Sequence, residues 1–303
     1  MDSISLKALA KINLGLDVTG EREDGYHDVR MVMQSIRLYD RVEIKRTRSP
    51  KIHLDVNLYY LPVDENNLVY RAAQLMKEKY KIRDGMRITL LKFIPVSAGL
   101  GGGSSDAAAV LVGMNRLFKL NLSRDELIET GKELGADVPF CIMRGTALAE
   151  GIGEILTPLP QMPYCPVLIA KPGVSVSTKE VYQNLRLYDG ISHPDIDGQI
   201  EALKAGDMQG VADHMGNILE TVTIPKHPVI KDIKKIMLEN GALNAMMSGS
   251  GPTVFGLFPN EKEIQKAYDA LKESGLAKKL YTSEIQNNKS REPRRRGKNK
   301  NDR

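Results

Sequence analysis

Apolar and polar side chains alternate along residues 4–18. Ala8, Ala10, Ile12, Leu14 and Leu16 share one face, and Lys11, Asn13 and Gly15 share the other. A period of two predicts a strand. Residues 41–46, 52–56 and 86–94 also read as strands. Residues 68–80 switch period. Leu68, Ala72, Leu75 and Met76 line one side of a helix, with Asn67 placed before it as a cap. A glycine-rich loop follows the strand at 86–94, and an alanine-rich helix runs from Asp106 to Phe118. Ser123 and Glu126 form a capping-box pair for a helix reaching about Leu134. The stretch 145–156 then reads as a hairpin.

The second half has its own pattern. A strand is predicted at 167–170, and helices near 178–186, 196–204, 208–219 and 228–240. Two short strands flank a second glycine-rich turn at 249–251. A helix over 261–274 and a strand over 279–284 complete it. Four prolines fall within 157–166, which makes this stretch the best linker. Strands and helices mix without strict alternation, so the expectation is α+β in two lobes. The boundaries read as 1–162 for an N-terminal domain, 163–286 for a C-terminal domain and 287–303 for a tail.

Charge sharpens that division. The 303 residues carry a net charge of +5 with 42% hydrophobic side chains, which suits a globular chain. The tail holds eight basic and two acidic residues and is therefore +6, whereas the remainder has 35 basic and 36 acidic side chains, or −1. With no apolar residue, the tail is expected to be disordered. Its charge also fits nucleic acid or an anionic surface, although a solvated tail is the favoured reading. Cys141 and Cys165 are too few for a disulfide framework, and the five histidines have no metal-ligand spacing. No signal peptide or run of 18 apolar residues is present, so the expected location is cytoplasmic, with no membrane contact.

The loop Pro95-Val96-Ser97-Ala98-Gly99-Leu100-Gly101-Gly102-Gly103-Ser104-Ser105 lies between a predicted strand and a predicted helix. Glycines let the backbone approach a ligand closely, and a helix start offers free N–H groups to an anion. No G-K-[ST] follows, so it is not a Walker loop, and Ser104 stands where a dinucleotide fingerprint needs its third glycine. Alone it is a weak signal for phosphate.

Read with Asp106-Ala107-Ala108, the loop resembles the phosphate loop of the galactokinase–homoserine kinase–mevalonate kinase (GHMP) superfamily. Two more segments match in order, Ala10–Leu14 and Met247–Phe255. Gly25-Tyr26-His27 and Gly135–Phe140 resemble the branch whose acceptor is a cytidine-diphosphate-linked methylerythritol, in the non-mevalonate isoprenoid route. The resemblance covers about 1–285. It implies an N-terminal lobe with a left-handed β-α-β unit, a ferredoxin-like C-terminal lobe, and a site between them. It implies ATP and Mg²⁺, and transfer of a phosphoryl group to the acceptor's 2-hydroxyl.

The same resemblance assigns residues. Periodicity alone makes Lys11 an exposed strand lysine and Asp137 a turn aspartate. The resemblance makes Asp137 the catalytic base and Lys11 its electrostatic partner. It places ATP on 95–105 and near Asn67 and Lys92, with Ser104 or Ser105 as contacts for Mg²⁺. It places the acceptor on Asn13, Tyr26, His27, Asp137, Thr178 and Tyr182. Asp106 is expected to cap the helix or reach the metal. Two alternatives stay open: another small-molecule kinase of the superfamily, and a homologue that binds nucleotide or RNA without catalysis.

Overall fold

The computed structural model describes residues 2–188 and 190–288; the greater part of the predicted tail, 289–303, lies outside them. In chain order the elements are β1 (Ser3–Glu21), β2 (His27–Thr47), β3 (Ile52–Val56), α1 (Leu68–Lys79), β4 (Gly85–Leu91), α2 (Gly102–Leu117), α3 (Arg124–Lys132), α4 (Val138–Met143), β5 (Thr146–Glu150) and β6 (Ile155–Pro158). They continue as β7 (Pro166–Pro172), α5 (Thr178–Asn184), α6 (Ile196–Ala205), α7 (Met208–Asp213), β8 (Gly216–Asn217), α8 (Glu220–Lys226), α9 (Val229–Glu239), β9 (Asn244–Met247), β10 (Val254–Leu257), α10 (Glu261–Ser274) and β11 (Ala277–Glu284).

Two sheets carry the molecule. The first runs β3-β4-β2-β1-β8, with β5 on β2 and β6 on β5. Its long antiparallel pair, β1 with β2, slips register at Leu9/Lys11 and again at Asn13/Gly15. Such irregularities re-aim side chains beside functional sites. β3 and β4 are parallel neighbours, and α1 lies between them in the chain. The second sheet is antiparallel, in the order β11-β7-β10-β9. One core packs α1 and α2 on the first sheet through Met76, Ala107, Leu111 and Met114. Another buries α9 and α10 against the second sheet through Ile233, Met237, Ala267 and Leu271. After β11 the chain returns to the first sheet. Ile285 bridges Ile36, and the Asn287 side chain donates to the Met162 carbonyl at 2.8 Å. Asn287 and Asn288, assigned by composition to the tail, thus sit against the N-terminal half.

Several predicted elements change. The strand expected at 41–46 is the end of β2, which begins at His27. Residues 31–36 of β2 are buried on both faces, so alternation fails there. The helix expected over 208–219 stops at Asp213. Gly216 and Asn217 pair in parallel with Gly15 and Leu16 of β1, and a separate helix, α8, starts at Glu220. The cause is Asn217, whose amide donates to the Met247 and Gly249 carbonyls at 2.9 and 2.8 Å. The sequence reading has no helix at α4 because Pro139 resembles a turn residue. In the structure Pro139 lies in the first turn of α4, where a missing N–H costs nothing.

Candidate active site

Lys11 belongs to a strand whose two faces are both covered. It is 5% exposed, and Asn13 two residues on is fully buried. The face expected to be exposed is therefore covered. The Lys11 ammonium donates to Asn13 Oδ1 at 2.9 Å and stands 3.5 Å from Asp137 Oδ2. Asn13 in turn donates from Nδ2 to the Met31 sulfur at 3.3 Å. Asp137 is the N-cap residue of α4, and its side chain makes no cap hydrogen bond. That side chain, 32% exposed, is thus left for Lys11 and for solvent. Its charge is felt nearby. Burial first, and Asp137 second, push both the Cys141 thiol and the Tyr182 phenol up.

The glycine-rich loop is pinned from two sides. The Lys11 backbone N–H donates to the Leu100 carbonyl at 3.0 Å, and the Ser248 hydroxyl donates to the Gly99 carbonyl at 2.9 Å. Gly99 has φ +72°, and a Cβ there would lie 2.0 Å from the Ser248 carbonyl oxygen. Gly101, with φ +66°, is the N-cap of α2, and a Cβ on it would press on the Lys11 stem at 2.8 Å. The helix therefore begins at Gly102, four residues before its expected start, and no serine caps it. Ser105 is instead held by its hydroxyl, which donates to the Leu9 carbonyl at 2.6 Å. Ser104 lines the cavity over the loop.

That cavity, about 630 Å³, is lined by residues 95–104 together with Asn67, Lys92, Asp106 and Thr178. Asn67 also has structural work. Its side chain accepts from Val69 N at 3.0 Å, capping α1, and donates to the Pro62 carbonyl at 2.8 Å. Lys92 is buried between two carboxylates, Asp40 and Asp106, with its ammonium 2.6 Å from Asp106 Oδ2. Burial alone would lower the Lys92 ammonium, but Asp106 and Asp40 outweigh it and hold it above the usual lysine range. Asp106 is pushed well above the ordinary carboxylate range, chiefly by burial and against the pull of Lys92. Its Oδ1 is buried with no hydrogen-bond partner. Asp106 therefore neither caps α2 nor behaves as an ordinary surface acid.

A second cavity, about 530 Å³, adjoins through Thr178. Gly25, Tyr26, His27, Val29, Ile152, Tyr182 and Gln183 surround it. The His27 and Tyr182 rings stand 5.2 Å apart at 50°, and Tyr26 is 59% exposed at the rim. Thr178 and Tyr182 lie one turn apart on α5, and the Thr178 hydroxyl sits 2.8 Å from that of Ser250. Sequence reasoning missed Asn217, which fixes the turn carrying Gly249, and Asp40, which anchors Lys92 and accepts from the Ile94 N–H at 2.8 Å. Neither has a local pattern; each acts on a segment distant in sequence.

Comparison with known proteins places this arrangement. Residues 67–145 match the family described as GHMP kinases N terminal domain, and 199–277 match GHMP kinases C terminal. The chain is 61% identical over 284 residues to 4-diphosphocytidyl-2-C-methyl-D-erythritol kinase of Lachnospira eligens, covering 94% of this chain and 99% of that one. It is 54% identical over 274 residues to the protein of the same name from Acetivibrio thermocellus, covering 90% and 96%. A crystal structure of 4-(cytidine 5'-diphospho)-2C-methyl-D-erythritol kinase superposes with a TM-score of 0.80 at 34% identity, over 94% of this chain and 100% of that one. Homoserine kinase from Cytophaga hutchinsonii shares the fold, with a TM-score of 0.75 at 23% identity over 95% and 96% of the chains.

Proposed function

The chain belongs to the GHMP kinases, in the family of the 4-diphosphocytidyl-2-C-methyl-D-erythritol kinases, and from that premise we propose how its residues carry the reaction. The γ-phosphoryl group of ATP passes to the 2-hydroxyl of 4-diphosphocytidyl-2-C-methyl-D-erythritol, a step toward isoprenoid precursors by the non-mevalonate route. The observation that carries this reading is the Lys11–Asp137 pair beside the glycine-rich loop, with Lys11 N bonded to the Leu100 carbonyl.

Phosphoryl transfer has a loose transition state whose charge spreads over oxygens, so catalysis is mainly positioning and electrostatics. Backbone N–H groups of the loop and the start of α2 receive the ATP phosphates. Asp137 accepts the hydrogen bond of the 2-hydroxyl and takes its proton as the new O–P bond forms. Lys11, 3.5 Å from that carboxylate, balances charge on the transferring group. Asn13 holds the ammonium in place and offers the acceptor a polar contact. Tyr26, His27 and Tyr182 receive the cytosine, since aromatic faces stack on bases and a ring nitrogen can bond their edges.

Mg²⁺ fits this donor set. Among the described residues no three His, Cys, Asp or Glu side chains cluster, and Mg²⁺ commonly takes one or two protein ligands together with substrate phosphates and water. Ser104 is the better candidate ligand, because the Ser105 hydroxyl is engaged by Leu9. When bound, the ion neutralises phosphate charge. Among the described residues no helix is long and apolar enough to cross a membrane. Cys141 and Cys165 are both buried and unpaired, which suits a reducing compartment, and we assign the enzyme to the cytoplasm.

A homologue that merely bound nucleotide or RNA would have no use for a lysine and an aspartate set 3.5 Å apart beside the glycine-rich loop. The test is ADP release from ATP with the purified chain. It should require the cytidylyl acceptor. Equal turnover of homoserine or mevalonate would overturn the reading.

A further inference from the structure

A third cavity, about 480 Å³, opens beside the outer part of β1, away from the phosphate loop in sequence. Arg116 from the end of α2, Arg124 at the start of α3 and Arg144 after α4 all line it, and no carboxylate does. Among the described residues none of the three guanidiniums has an ion-pair partner. Of the ten other arginines among the described residues, five do: Arg22, Arg30, Arg37, Arg46 and Arg87 each meet an aspartate or glutamate.

Arg144 is the least ordinary of the three. Its backbone sits at φ 61°, ψ 176°, a region that is essentially restricted to glycine and that persists only where the surroundings enforce it. The surroundings are visible. Its N–H donates to the Phe140 carbonyl at 2.7 Å, and its guanidinium donates to the Lys7 carbonyl at 2.9 Å. Burial and then the neighbouring Arg116 charge hold the guanidinium below its usual range. Strained backbone, burial and like charge all oppose placing a cation there. An anion between the guanidiniums reverses the electrostatic part.

We propose that this cavity is a second anion site, separate from the phosphate loop, that takes a diphosphate group. Three guanidiniums face the cavity, with Lys7 beside them and its ammonium over the Tyr39 ring, enough positive charge for a diphosphate. Guanidinium forks bind phosphate oxygens in bidentate fashion. Asn115 and Asn288 also line the cavity, but their carboxamides are engaged, Asn115 with the Leu122 backbone and Asn288 with the Met143 and Arg144 carbonyls, so the guanidiniums carry the anion. Leu6, Val112 and Met143 form an apolar part of the wall, so the diphosphate can be free or the head of a short apolar ester.

The test is calorimetric titration of the full chain with inorganic diphosphate, while a non-hydrolysable ATP analogue saturates the phosphate loop. One equivalent should still bind. A parallel titration with pentyl diphosphate separates the two sources. Tighter binding than the inorganic anion identifies an ester, and equal or weaker binding identifies the free anion. R144G should weaken binding by tenfold or more and leave the chain folded, because glycine adopts that backbone without strain. R116Q with R124Q should do the same. Both variants keep the basic tail, so loss of binding in them separates the cavity from non-specific contact with the tail. The proposal is overturned if the ATP analogue abolishes all diphosphate binding, or if the variants bind as tightly as the parent chain.

Discussion

The ammonium of Lys11 and the carboxylate of Asp137 stand 3.5 Å apart, although 126 positions separate them in the chain. The first stands beside a register slip between β1 and β2, where one β1 residue faces three of β2, and the second is the N-cap of a six-residue helix. Replacing either by alanine should lower kcat by roughly 10²-fold or more, the scale for losing one key electrostatic group. KM for ATP should change far less, because neither residue belongs to the loop. Steady-state kinetics on both variants checks this; near-parent kcat in both would remove the pair from the mechanism.

Gly99 is a second point of leverage. A methyl group there meets the Ser248 carbonyl at 2.0 Å on a backbone with φ +72°. G99A should therefore displace the loop from the Ser248 turn, cost about 1–3 kcal/mol in stability as an overpacked site does, and raise KM for ATP. A melting curve and an ATP titration measure the two effects. An unshifted Tm would mean the loop is not clamped between the two halves.

Asp106 gives a pH dependence. Its folded-state pKa is raised, so its contribution to stability is fully present below the unfolded carboxylate value, about 4, and is lost as pH rises through the folded value. The neutral, similarly shaped D106N has no such loss. Its Tm should match that of the parent near pH 4 and exceed it increasingly toward pH 8, in the absence of nucleotide. A D106N variant that falls below the parent as pH rises would show that the ion pair with Lys92 outweighs the burial of Asp106.

Tyr26 is mostly exposed, so truncating it should leave the fold intact. Loss of a base-stacking aromatic costs about 1–3 kcal/mol. Y26A should therefore raise KM for the cytidylyl acceptor by roughly 5- to 150-fold, with KM for ATP unchanged. A variant that weakened ATP instead would put the base of the nucleotide, rather than the cytosine, against this wall.

Much of the fold was legible wherever one face met water. The helix after Asn67, the Ser123–Glu126 capping box and the helix 261–274 appear as expected, because each has a cap and an amphipathic face. The first half of β2 and the break at Gly216–Asn217 were not legible, since burial on both sides and a distant carboxamide leave no local period. At the site, ordered motifs pointed to Lys11, Asp137 and the glycine-rich loop. They did not reveal that Lys92 spends its charge on Asp40 and Asp106, or that Ser105 is tied to Leu9. Those are tertiary pairings between strands and helices, and one-dimensional spacing carries no trace of them.

The central claim is a phosphoryl transfer to a hydroxyl that leaves the cytidylyl diphosphate intact. Phosphorus NMR of the reaction mixture tests it most directly. The account predicts one new phosphomonoester resonance growing in step with ADP, a singlet without proton coupling because C2 of the acceptor carries no hydrogen, while the acceptor's two diphosphate resonances persist with unchanged combined area. Loss of the diphosphate pair, or ADP formation without a new monoester, would contradict it.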